Sequence, residues 1–155
     1  MTIANIIIPD DWARVLTDDI NQANHSIIGT ALSMLPPRTT QTGPWQAMWD
    51  ALCAAAARHV RIKITLPAPN RAHPATAQNA TGARVAHDRG MMVTMIHSPR
   101  LLHAKQFIID EEIVWIGSGN MTAAAYAHNH ETWLRMESRP LAARLALRIA
   151  AYAEK

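Results

Sequence analysis

A chain of 155 residues, 49% of them hydrophobic, is long enough to bury a real core and fits a single domain over residues 1–155. Its formal charge of +3 is a mild excess, but twelve of its fifteen bases are Arg, which presents a planar fork to phosphate oxygens. A lone Cys53 rules out an internal disulfide and offers no metal cluster; with no apolar run near the ~20 residues that span a bilayer, a soluble chain without membrane insertion is expected, cytoplasmic unless a signal peptide has been removed ahead of Met1.

Residues 3–8 read as a short buried strand, broken by Pro9. A helix follows, with Trp12, Val15, Leu16, Ile20 and Ala23 at helical spacing. Residues 26–32 are expected as a strand and 33–42 as a long loop at its carboxyl end, where α/β proteins commonly bind ligands, so this loop is a candidate for substrate contact. Pro44 opens the next helix, in which Trp45, Met48, Trp49, Leu52 and Ala56 form an apolar stripe. Two tryptophans four apart could stack on bases, but at this spacing they are more often core, and Cys53 reads as a small core residue beside them. A strand at 61–66, a long loop at 67–74 carrying Asn70, Arg71 and His73, an Ala-rich helix stopped by Gly90, and a strand at 91–96 come next. Residues 97–102 lead into the segment that carries the chemistry.

That segment contains His103-x-Lys105, then Asp110, then Gly117-Ser118-x-Asn120. Six fixed residues at a background frequency of ~5% each would recur by chance in a chain this long with a probability on the order of 10⁻⁶. Phosphodiester cleavage needs a nucleophile, a proton for the leaving oxygen, and positive charge around the phosphate oxygens. His103 can serve as nucleophile when neutral or as acid when protonated, because its unperturbed pKa is ~6.5. Lys105, two residues along a strand expected at 103–109, points the same way, and Asn120 and Ser118 add an amide and a hydroxyl donor. A helix expected over 122–128 would present free N–H groups to an anion. Asp110 and its acidic neighbours sit between two strands, 103–109 and 113–116, so its plainest role is to shape a tight hairpin.

The pattern H-x-K-x4-D-x6-G-S-x-N resembles the HKD motif of the phospholipase D superfamily, with every defining position present, and the chain resembles that superfamily's small bacterial endonucleases of the Nuc type. The resemblance implies a supporting place for Asp110 and Gly117. It also implies a catalytic carboxylate eleven residues after the Asn, where Glu131 stands; a carboxylate accepting from the far nitrogen of His103 would fix its tautomer. The architecture it implies is α/β, a phospholipase D-like mixed β-sheet flanked by helices on both faces. The order of elements agrees, ending in a strand over 131–136 and a last helix capped by Ser138, with Leu141, Leu145, Ile149 and Tyr152 on one side. Arg144 and Arg148 lie on the other side, as a solvated face or, less commonly, a nucleic-acid contact.

The remaining histidines read as structural or exposed, and His128-x-His130-Glu131 lacks a third partner at a recognisable zinc spacing. No metal and no cofactor are expected. A phosphohistidine route needs two histidines in opposite proton states, and only one motif is present. The single-copy members that the chain resembles pair two subunits about a two-fold axis, so a homodimer is expected. The reading is a metal-independent phosphodiesterase, a nuclease with DNA favoured over RNA as partner. The alternatives are a hydrolase of phospholipid or another small phosphodiester, and a catalytically silent nucleic-acid-binding module.

Overall fold

The computed structural model describes residues 6–153. Along them run β1 (Ile6–Ile7), α1 (Trp12–Gln22), β2 (Ser26–Thr30), α2 (Pro44–Ala57), β3 (Arg61–Pro67), a 3-10 turn (Pro74–Thr76), α3 (Asn79–Asp88) and β4 (Met92–Ile96). The second half comprises β5 (Lys105–Ile109), β6 (Ile113–Gly117), α4 (Ala123–Ala127), β7 (Trp133–Glu137) and α5 (Arg139–Ala150). All seven strands join one mixed sheet in the order β1-β7-β6-β5-β2-β3-β4. β2, β3 and β4 are parallel neighbours connected through α2 and α3. Parallel pairs need a crossover of a dozen or more residues, which a helix fills. β5 then enters antiparallel to β2, and β6, β7 and β1 follow antiparallel.

Alternation along the strands sends side chains to two separate cores. On β5, Phe107 and Ile109 face the larger core, which also takes Leu16 and Ile20 of α1, Met48 and Leu52 of α2, Ala86 of α3 and Tyr126 of α4. Ile108, between them, faces a smaller core with Val114, Met136, and Ala142 and Ile149 of α5. Helices thus lie on both faces, but unequally: four on one and one on the other. Trp45 and Trp49 are buried core residues, and the Trp45 indole donates to the Leu35 carbonyl at 2.9 Å.

Two features of the helices follow from local chemistry. Asp11 accepts from the Arg14 N–H at the start of α1, and Ser138 accepts from Leu141 N–H at 3.3 Å at the start of α5, with Pro140 in its first turn. Between α1 and the sheet, the buried Asp19 carboxylate accepts from the Trp115 indole at 2.8 Å and from Arg135 at 2.8 and 3.1 Å. That bidentate pair holds Arg135 firmly charged and ties α1 to β6 and β7, elements about a hundred residues away.

The expectation of a buried N-terminal strand needs correction. Residues 3–5 of it lie outside the described residues, and Ile6, Ile7 and Ile8 are 57%, 46% and 64% exposed. β1 is an edge strand that pairs only with β7, so an apolar run there meets no second layer.

Asp110 stands at the tip of the β5–β6 hairpin. Asp110 and Glu111 both take left-handed backbone, φ +51° and +58°, and Glu112 N–H closes the turn on the Ile109 carbonyl at 3.1 Å. The Asp110 carboxylate accepts the backbone N–H groups of Asn24 and His25 at 2.8 Å and of Ser26 at 3.0 Å, at the entry to β2. Partial burial pushes this carboxyl's pKa up, but the three donors, with the His25 charge, outweigh it and hold it below its ordinary 3.8. Asp110→Ala therefore strands three donors and should cost about 2 kcal/mol, a value discounted for exposure, in denaturant unfolding at pH 7. Because the folded-state pKa is depressed, that difference should be present above pH ~4 and shrink as the pH falls through the folded pKa.

Candidate active site

The antiparallel entry of β5 sets its first residue at the carboxyl ends of β2 and β3. Lys105, opposite Gly117 of β6, begins β5, and His103 stands two residues before it, just outside the strand. The Thr30 hydroxyl at the end of β2 donates to the Ala104 carbonyl at 3.1 Å and fixes the backbone between them. Asp110 lies at the opposite end of β5, roughly 16 Å of strand away. It does not join the site.

Lys105 is buried to 5% exposure, and its ammonium sits against the His103 ring, 2.8 Å from Nδ1 and 3.3 Å from Nε2, while donating to the His103 carbonyl at 2.7 Å. An ammonium can only donate, so this contact fits the neutral imidazole. Burial lowers the Lys105 pKa below its ordinary 10.5, and the nearby Glu131 charge offsets part of that. His103 itself is exposed.

Ser118 and Glu131 meet on the next strand connection. The Ser118 hydroxyl donates to Glu131 and accepts the Thr132 N–H at 3.1 Å, while Asn129 donates to the other Glu131 oxygen at 3.1 Å. Within this chain, then, Glu131 accepts from Ser118 and Asn129 and not from the far nitrogen of His103, and Ser118 is engaged by that carboxylate. Gly117 is demanded by packing: a Cβ there would lie 2.2 Å from the Trp133 ring. Asn120 accepts the Leu32 N–H at 3.2 Å through its Oδ1, which leaves the amide nitrogen as a donor. His103, Lys105, Gly117 and Ser118 line one shallow depression. Its inventory is a base, a cation and hydrogen-bond donors, suited to an oxyanion.

Two expectations change at this level. α4 spans only five residues, so its first N–H groups bring little helix dipole to an anion. The loop after β2 contributes support instead of contact: Met34 pairs with Met121, Met121 N–H donates to the Ser33 carbonyl at 3.1 Å, and residues 33–42 line none of the clefts around His103. Those clefts are bordered by the loops after β3 and β4. Sequence reasoning also passed over Asn79, fully buried, which accepts from Met34 N–H and donates to the Leu32 and Pro67 carbonyls, all at 2.9 Å. It clamps the ends of β2 and β3 together beneath the site. No periodic signal marks such a residue, since a polar side chain in an Ala-rich helix reads as surface. Among the described residues no group of three or more His, Cys, Asp or Glu side chains is placed to hold a metal, His128 and His130 included.

Comparison with known proteins bears on this arrangement. The family described as cardiolipin synthase, PLD-like domain, matches residues 16–152. The chain is similar in fold to the phospholipase D family member Nuc from Salmonella typhimurium, at 23% identity and a TM-score of 0.76, covering 97% of this chain and 94% of that one. NucT from Helicobacter pylori gives 17% identity and a TM-score of 0.71 over 98% and 96% of the two chains. Phosphatidylserine synthase from Haemophilus influenzae gives 14% and 0.70, covering 97% of this chain but 37% of that one. Among curated proteins no sequence match is found. With a family match over most of its length, and a mixed sheet that presents His103 and Lys105 side by side, the chain belongs to the phospholipase D superfamily, as a PLD-like domain.

Proposed function

We propose that the chain is a homodimeric nuclease that cleaves phosphodiester bonds through a covalent phosphohistidine, without a catalytic metal. The observation that carries this is the Lys105 ammonium held against the His103 ring, with no other histidine lining the depression or cleft that His103 shares. A neutral imidazole is the form that attacks phosphorus. The new N–P bond displaces the leaving oxygen, which must take a proton as it departs. One chain supplies one such ring, so the proton comes from His103 of the partner subunit across a two-fold axis. Water then gives its proton to that imidazole and attacks phosphorus, breaking the N–P bond and restoring both rings. Lys105 and the Asn120 amide supply the positive charge and hydrogen bonds that the phosphate oxygens gain.

Nucleic acid is favoured over phospholipid on two grounds. The likeness to Nuc and NucT runs through nearly the whole of both chains, whereas the phosphatidylserine synthase is almost three times as long. Arg, whose planar fork matches phosphate oxygens, also outnumbers every other charged residue type. Labelled DNA, RNA, phospholipid vesicles and a chromogenic diester, each assayed in excess chelator, separate these substrates. His103→Ala should lower the rate on the order of 10⁴-fold in that assay with the fold intact, while the exposed His59→Ala should change it less than twofold. Comparable rates for both variants, or activity only after a divalent metal is restored, would overturn the assignment.

Proton balance gives a second expectation. The rate should be bell-shaped in pH, because one His103 must be neutral and its partner protonated, and both limbs belong to that coupled pair and not to either residue. A rate that rises steadily with pH up to about 10 would instead point to hydroxide or a metal-bound water.

Assembly gives a third. A heterodimer of wild-type and His103→Ala chains has one histidine with no partner opposite it and should be nearly inactive. Co-expressed, separately tagged chains should therefore lose activity toward the square of the wild-type fraction. Loss in simple proportion, or a fully active monomer in sedimentation, excludes the shared site.

A further inference from the structure

Two clefts meet beside His103. One, of about 420 Å³, is lined by His103, Arg148 and Tyr152. The other, of about 560 Å³, carries Arg71 on the loop after β3. Arg100 and Leu101 belong to both, so the clefts form one trough that runs from the β3 loop past Arg100 to the His103 ring. Neither lining contains an Asp or Glu, and among the described residues the guanidinium groups of Arg71, Arg100 and Arg148 enter no ion pair. A concave surface with charge of one sign concentrates its potential. Two of the three arginines of α5 part company here: Arg148 lines the trough, and Arg144, one turn earlier, does not.

Resting on the phosphodiesterase reading above, we infer that Arg100 and Arg148 are substrate-positioning residues that hold the phosphates next to the scissile one, with Arg71 reaching a phosphate further along, so that the preferred substrate is a nucleic-acid strand several nucleotides long. A small diester or a lipid headgroup presents one phosphate and leaves these cations unused, whereas a strand repeats its phosphates at regular intervals along the trough. Leu101 and Tyr152 give the trough an apolar wall for sugars or bases.

The experiment measures kcat/KM on single-stranded oligonucleotides from two to about twelve nucleotides and on bis(4-nitrophenyl) phosphate. Wild-type efficiency should rise with length until the trough is filled. Arg148→Ala and Arg100→Ala should each lose about tenfold more on the long oligonucleotide than on the diester, mainly through KM, and flatten the salt dependence of log KM by about 0.7 per lost contact. Arg144→Ala removes the same charge from the same helix outside the trough and should leave both substrates unaffected. Equal losses on the two substrates, an Arg144→Ala effect equal to that of Arg148→Ala, or a wild-type rate independent of length would each overturn the inference while leaving diester turnover intact. Failure of the wild type on every diester would instead remove the phosphodiesterase reading on which it rests. Thermal unfolding of each variant separates lost contact from lost fold.

Discussion

The antiparallel insertion of β5 between β2 and β6 is the constraint on which the rest of the molecule depends. A parallel β5 would put Lys105 at the amino ends of β2 and β3. Reversed, it begins where those strands end, and the loops after β3 and β4 can border the same ground. Its place between β2 and β6 makes β5 a central strand buried on both faces, so each of its five residues is shielded and its first, Lys105, is a buried ammonium. A charge kept out of water is costly unless its donors are engaged. Lys105 meets that cost by donating to its neighbour's carbonyl and ring, and by lying near Glu131.

Around that strand the structure separates residues that hold from residues that face outward. Asp110, Asn79, Thr30 and Gly117 hold: each satisfies backbone groups or makes room for a ring, and together they fix the ends of β2, β3 and β6 relative to β5. His103 faces outward, with Lys105 behind the ring, and Asn120 keeps its amide nitrogen free as a donor while its oxygen holds Leu32 N–H. The letters of the motif therefore divide by location around one strand, with His103 and Lys105 at its beginning and the Asp110 turn at its end. The spacing of five between Lys105 and Asp110 is simply the length of β5.

The electrostatics have the same division. Asp19 and Arg135 neutralise each other between α1 and the sheet, and Arg14 and Arg139 pair with carboxylates at the surface. The arginines left over include those of the trough beside His103. A net charge of +3 is thus a poor guide to the local field, because the acids are spent elsewhere.

Much of this was legible in the sequence for a local reason. Apolar period, proline at helix starts and glycine after α3 report elements, because each acts over a few residues; the fixed spacing of His103, Lys105, Asp110, Gly117, Ser118 and Asn120 reports a strand, a hairpin and a strand. The sequence also marked Asp110 as a turn residue. Other facts depend on which segments pack together, and only the tertiary structure decided them. That Asn79 clamps two strand ends, that residues 33–35 support the site while 67–73 and 96–101 border it, that Ile6 to Ile8 lie exposed on an edge, and that Arg148 but not Arg144 reaches the trough all follow from contacts between residues far apart in the chain. Periodicity assigns a side chain to a face of its own element; what that face meets is set by the order and direction of the strands.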